Sequence, residues 1–254
     1  MLMDWYKNVQ KLKNELLAEW EVLLNENGNE NKYQSFLSNY AGLFLGNENC
    51  HLAISKLKLG SELETDFVTL TDGFSNGNVF EFIELKQPNT KLFTKNGTPT
   101  ADFNRAIQQI RDWKRWLIDN KNWMKKHLPT TSTRVITDSN IKFKIVIGRR
   151  LDNIYEIDKR NQISEEIKAE IRSFDYLTDK VKSRIIYPST WLSADVDYLS
   201  DQLANPFFAA MTDAEWKKFC SSKQLRSFHF YSHHCEEVLK SRKFHRSIIK
   251  ALKI

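Results

Sequence analysis

An Asp, a Glu-x-Lys and a Gln follow one another between Asp66 and Gln109. These residue types in this order suit metal-assisted hydrolysis of a phosphodiester. Asp66 falls in the predicted strand 65–70. Glu84 and Lys86 close the predicted strand 79–86, which Pro88 stops. Two carboxylates projecting from adjacent strands offer hard oxygen ligands to Mg2+, with Mn2+ as a substitute, and the backbone carbonyl of Leu85 can add another. Such an ion polarises the scissile phosphate and lowers the pKa of a bound water. In a strand, residues i and i+2 share a face, so the Lys86 ammonium lies beside the Glu84 carboxylate. There it can orient the water or neutralise charge building on phosphate oxygens. The same spacing recurs at Glu166/Lys168 and Glu215/Lys217, but in helical patterns, where i and i+2 do not face each other.

The elements that must position these groups are legible from periodicity. Residues 4–25 and 32–45 read as amphipathic helices, separated by the turn-rich run 25–31. Residues 51–59, 65–70, 79–86 and 142–149 read as strands, with a hairpin loop between the second and third. In 79–86, Val79, Ile83 and Leu85 form one face, while Phe80, Phe82, Glu84 and Lys86 form the other. Apolar residues on both faces predict a central strand covered on both sides. Two charges at the end of such a strand need a partner or a metal. Residues 101–128 read as one long helix whose apolar stripe is Phe103, Ala106, Ile107, Ile110, Trp113 and Leu117. At about 100° per residue, Gln109 flanks that stripe and can reach back over the sheet edge, whereas Gln108 points to solvent. A helix over 161–173, a short strand near 184–187 and a helical pattern from 195 onward complete the reading.

Each residue also has a plainer reading. Asp66 can cap a turn or pair with Lys86 structurally, Gln109 can be an ordinary helix flank, and Gln34 a helix surface residue. Glu62 and Glu64 read as solvated, although Glu64 shares strand parity with Asp66 and can line the same cleft. Trp113, Trp116 and Trp123 read as packing. The better phosphate contacts are the loop residues Lys91 and Lys95 and the post-strand pair Arg149 and Arg150. His229, His233, His234 and Cys235, with Cys220 upstream, fit no standard zinc spacing.

The 254 residues carry a net charge of +6, and residues 238–254 hold six basic side chains and no acid. The basic excess is therefore confined to the tail, which points to an anionic partner such as nucleic acid. Cys50, Cys220 and Cys235, odd in number and widely spaced, argue against a disulfide framework and for the cytoplasm. No stretch approaches the roughly 20 apolar residues of a membrane span, and residues 1–26 do not form a signal peptide. No membrane partner and no small-molecule cofactor are expected. We read the chain as an N-terminal helical segment, 1–30, a core, 31–190, and a C-terminal helical segment with a basic tail, 191–254.

At this point the chain resembles the PD-(D/E)XK nucleases, and within them it is most similar to the Shedu-type anti-phage defence nucleases of bacteria. The resemblance rests on residues 33–39, 60–67, Glu84-Leu85-Lys86-Gln87-Pro88, 106–113, 144–150 and 173–177. It implies an α/β fold with a restriction-endonuclease-like core, in which a mixed sheet is flanked by helices. It also implies metal-dependent DNA cleavage and a homo-oligomer. Carried over, Asp66 and Glu84 match the metal-binding acids, Lys86 the catalytic lysine and Gln109 the helix Gln. Thr65 stands where the family motif has Pro. Where many members place a Glu on the first core helix, this chain has Gln34 with Glu30 nearby. Two alternatives stay open: a non-catalytic nucleic-acid-binding module, and a structural or interaction subunit acting through its terminal helices.

Overall fold

Strand β5 (Asn78–Leu85) lies inside the sheet and carries apolar side chains on both faces, as the residue pattern requires. The computed structural model describes residues 2–26, 28–46, 52–72, 77–128, 140–184 and 209–221. On one side, β5 pairs antiparallel with β4 (Phe67–Asp72), which pairs antiparallel with β1 (Ala53–Ser55). On the other side it pairs in parallel with β6 (Ile141–Val146), and β6 in parallel with β7 (Glu170–Arg172). With β8 (Met211–Thr212) parallel to β1, the order is β7-β6-β5-β4-β1-β8. A separate two-stranded ribbon joins β2 (Lys58–Leu59) to β3 (Leu63–Glu64). The result is an α/β fold with a mixed sheet flanked by helices.

Phe80, Phe82, Val68, Leu70 and Ile145 pack toward α3 (Ala101–Asp119), α4 (Lys121–His127) and α7 (Asp213–Ser221). The buried residues of α3 are Phe103, Ala106, Ile107, Ile110, Trp113 and Leu117, the stripe read from its period. Phe67, Ile83, Leu85 and Val146 pack the opposite way, against α1 (Leu2–Asn25), α2 (Glu30–Phe44) and α6 (Phe174–Ser183). There Trp20 of α1 stacks on Phe36 and Phe174, and its indole N–H donates to Thr178 Oγ1 at 3.0 Å. The first helix therefore shares one core with the sheet. Polar side chains seal the rim of this layer. Arg184 donates to the carbonyls of Gly42, Leu43 and Gly46 at the end of α2, and Lys13 to those of Lys182 and Arg184.

Four expectations need correction. The strand expected over 51–59 breaks at Lys56, whose φ of 55° turns the chain between β1 and β2. The helix expected over 101–128 is interrupted at Asn120, whose side-chain amide donates to the Trp116 carbonyl at 2.8 Å and competes with the backbone ladder. The helix expected over 161–173 runs instead as α5, Ile154–Glu166. It ends in a Schellman turn: Lys168 adopts φ 47°, its N–H bonds the Glu165 carbonyl, and the Ala169 N–H bonds that of Ser164. Residues 170–172 then form β7 rather than more helix. The C-terminal segment, read as helical from 195 onward with no strand in it, adds β8 to the sheet edge before α7 begins. Residues 73–76 of the expected hairpin loop, residues 185–187 of the strand expected near 184–187 and the basic tail lie outside the described residues, while Arg184 caps α6. Among the described residues no helix is long and apolar enough to cross a membrane.

Candidate active site

Register brings the two carboxylates together. β4 and β5 pair antiparallel up to Phe67 opposite Ile83, so Asp66, the residue just before β4, lies at the same end of the pair as Glu84, near enough for its charge to act on that carboxyl. Asp66 is 6% exposed and Glu84 2%. Such depth is unusual for carboxylates and demands compensation. Asp66 receives the Leu85 backbone N–H on Oδ2 at 2.7 Å and the Lys56 ammonium on Oδ1 at 2.6 Å. Glu84 receives the Lys86 ammonium on Oε1 at 2.6 Å. Its second oxygen, Oε2, is buried without a hydrogen-bond partner.

The electrostatics follow from this packing. Burial, reinforced by the Asp66 charge, pushes the Glu84 carboxyl up to about 8, against the pull of Lys86. Burial also works to lower the Lys86 ammonium, but the Glu84 carboxylate beside it wins and holds it above its usual value. Lys86 and Glu84 share a face as the strand reading requires, and the Lys86 N–H continues the ladder to the Val146 carbonyl at 2.9 Å. The arrangement thus joins two adjacent carboxylates, a buried acceptor oxygen with nothing to accept from, and an ammonium at one end of the sheet.

Three further residues converge here that periodicity alone does not reveal. Lys56 reaches Asp66 from the β1–β2 corner and lies 3.9 Å from Glu64. Glu30, the first residue of α2, is close enough to interact with Lys86, Asp66 and Lys56, and burial raises its carboxyl. Gln34, read as a surface residue, is half-buried. Its amide donates to Ser55 Oγ at 3.1 Å and to the Asp66 carbonyl at 3.2 Å, and its Oε1 is buried and unpartnered. The resemblance had drawn attention to Gln34 and Glu30 at the place of a helix acid, and a helical period sets them one turn apart on one face. Among the described residues no three His, Cys, Asp or Glu side chains gather as a metal-ligand set. The orphaned Glu84 Oε2 and the unpartnered Gln34 Oε1 are oxygens of the kind a hard cation accepts.

The remaining candidates separate. Gln109 donates to the Glu64 carbonyl at 3.4 Å, so it touches the β2–β3 ribbon rather than Lys86, while Gln108 is exposed and donates to Asp112. Lys91 and Lys95 are exposed and form no ion pair among the described residues. Arg149 is engaged by Asp175, at 2.9 Å, and Arg150 by Asp179. Both arginines are thereby tied to α6. Of the Cys/His cluster only Cys220 lies within the described residues. It is buried, which pushes its thiol up to about 12, and it donates to the His127 carbonyl, so it does not behave as a ligand.

Comparison with known proteins adds one finding. The family model described as Shedu protein SduA, C-terminal, matches residues 27–178, more than half of the chain, spanning α2 through the first half of α6. No curated protein and no solved structure matches the chain.

Proposed function

The chain belongs to the Shedu SduA C-terminal family, which ties it to the Shedu anti-phage defence system, and we propose that it is a metal-dependent deoxyribonuclease with Asp66, Glu84 and Lys86 at its centre. One observation carries the reading: Glu84 holds a buried, partnerless carboxylate oxygen beside Lys86 and at the same end of the strand pair as Asp66. A purely structural ion pair gains nothing from that oxygen, since leaving a buried acceptor unsatisfied costs about 1–3 kcal/mol. A cation-binding site uses it. The mixed sheet covered on both faces, with both acids at one end of adjacent strands, supports a restriction-endonuclease-like core within the PD-(D/E)XK superfamily.

Mg2+ would be held by Asp66, Glu84 and the Leu85 carbonyl, and when bound it polarises the scissile phosphate. The protein groups do the rest. Lys86, anchored on Glu84 Oε1, offsets charge building on the phosphate oxygens or orients the attacking water. Water attacks phosphorus in line with the departing oxygen. Gln109 is a positioning residue, holding the ribbon that carries Glu64 and leads into Asp66. Lys91 and Lys95 are free to meet backbone phosphates, which positions a duplex without reading its sequence.

The test is cleavage of supercoiled, linear and single-stranded DNA in Mg2+, Mn2+ or EDTA, comparing the wild type with Lys86→Ala of matching melting temperature. Metal-dependent cutting that disappears in Lys86→Ala establishes enzyme and site together. DNA binding without cutting, unaffected by Lys86→Ala, would replace this reading with a binding module.

A further inference from the structure

Lys56 is held onto Asp66 from both ends. Its backbone N–H donates to the Asp66 carbonyl at 3.0 Å, and its ammonium meets Asp66 Oδ1 at 2.6 Å. It is one of two described non-glycine residues with positive φ, a conformation that a long unbranched side chain does not favour. Thr65 N–H, bonded to the Leu57 carbonyl at 3.0 Å, locks the corner around it. With Leu85 N–H on Oδ2 and Lys56 on Oδ1, both Asp66 oxygens are engaged. Glu84, by contrast, has an oxygen free. A divalent cation on Oδ1 would stand against the Lys56 ammonium 2.6 Å from the same oxygen, and the repulsion between them favours moving Lys56 aside. The displaced ammonium has a destination: Glu64 Oε1 lies 3.9 Å from its Nζ and is far more exposed than Asp66.

We propose that Lys56 is the resident cation of the Asp66 carboxylate, displaced toward Glu64 when a divalent ion enters. It keeps the acid charge-balanced before a metal binds and sets a threshold on metal loading. This rests on the reading of Asp66 and Glu84 as metal ligands, and the experiment separates the two.

Mn2+ affinity would be measured calorimetrically on the intact chain, without DNA, for the wild type, Lys56→Met, Lys56→Arg, Glu64→Gln and Glu84→Gln. Each protein would first be checked by thermal melting. Lys56→Met should bind Mn2+ at least about fivefold more tightly, because one competing ion pair is gone. Lys56→Arg, which keeps the competitor, should stay within about twofold of wild type, and Glu64→Gln, which removes the destination, should bind roughly two- to fivefold more weakly. If the wild type binds Mn2+ and Glu84→Gln abolishes it, yet Lys56→Met binds no tighter, the role of Lys56 is overturned and the metal site stands. If no protein binds Mn2+, or Glu84→Gln binds as well as wild type, the metal site falls and Lys56 with it.

Discussion

Replacing Glu84 with Gln should stabilise this protein in alkaline solution while removing its proposed activity. The wild-type carboxyl is raised from 4.5 to about 8 in the folded state, chiefly by burial and next by the Asp66 charge. Between those values the folded protein keeps a proton that the unfolded chain has lost. Stability from Glu84 is therefore fully present below about pH 4.5 and drains away as pH rises toward 8. The slope approaches about 1.4 kcal/mol per pH unit in the middle of that window and flattens near either pKa. The neutral amide of Glu84→Gln mimics the protonated acid at every pH, so the two proteins should melt together near pH 5. By pH 8 the variant should be ahead by about 3 kcal/mol, which at this size is roughly 9 °C in Tm. Melting would be followed by calorimetry in EDTA from pH 5 to 9. Adding Mg2+ at pH 8 should raise the Tm of the wild type and leave Glu84→Gln unmoved, because only a cation bound to the folded state stabilises it. A gap that does not change with pH would refute the reasoning. It would mean that Lys86, 2.6 Å away, keeps Glu84 ionised throughout.

Two further substitutions probe the frame around the site. Lys144 lies buried in β6, 2.7 Å from Glu81 and 3.5 Å from Glu170, and Lys144→Met would strand the Glu81 carboxylate in the sheet. A loss of about 3 kcal/mol is expected in urea unfolding, largely recovered in the double variant Glu81→Gln/Lys144→Met. Gly148 adopts φ +67°, and a Cβ there would stand 2.6 Å from the Thr90 carbonyl oxygen. Gly148→Ala should cost about 2–4 kcal/mol by thermal melting and should increase proteolysis in the 88–99 loop that carries Lys91 and Lys95.

What the sequence determined by itself was local. A period of 3.6 was enough to place six residues of α3 against the sheet and Gln108 in solvent, and a period of 2 to set Glu84 and Lys86 on one face of β5. Those patterns are legible because each follows from the geometry of a single element. The breaks were not legible. α5 ends, and β1 gives way to β2, at lysines in left-handed backbone, where the usual glycine signal is missing. Asn120 stops α3 through its own side chain, in a run that otherwise reads as helix. Only the tertiary structure decided which charges meet. Lys56 reaches Asp66 across ten residues, Arg149 is claimed by Asp175 across 26, and β8 joins β1 across more than 150. Such pairings depend on strand register and on how helices close over the sheet, and no short window of sequence encodes either. That Glu84 and Lys86 share a face was readable from strand parity, whereas the lysine ammonium that pairs with Asp66 is a product of the fold.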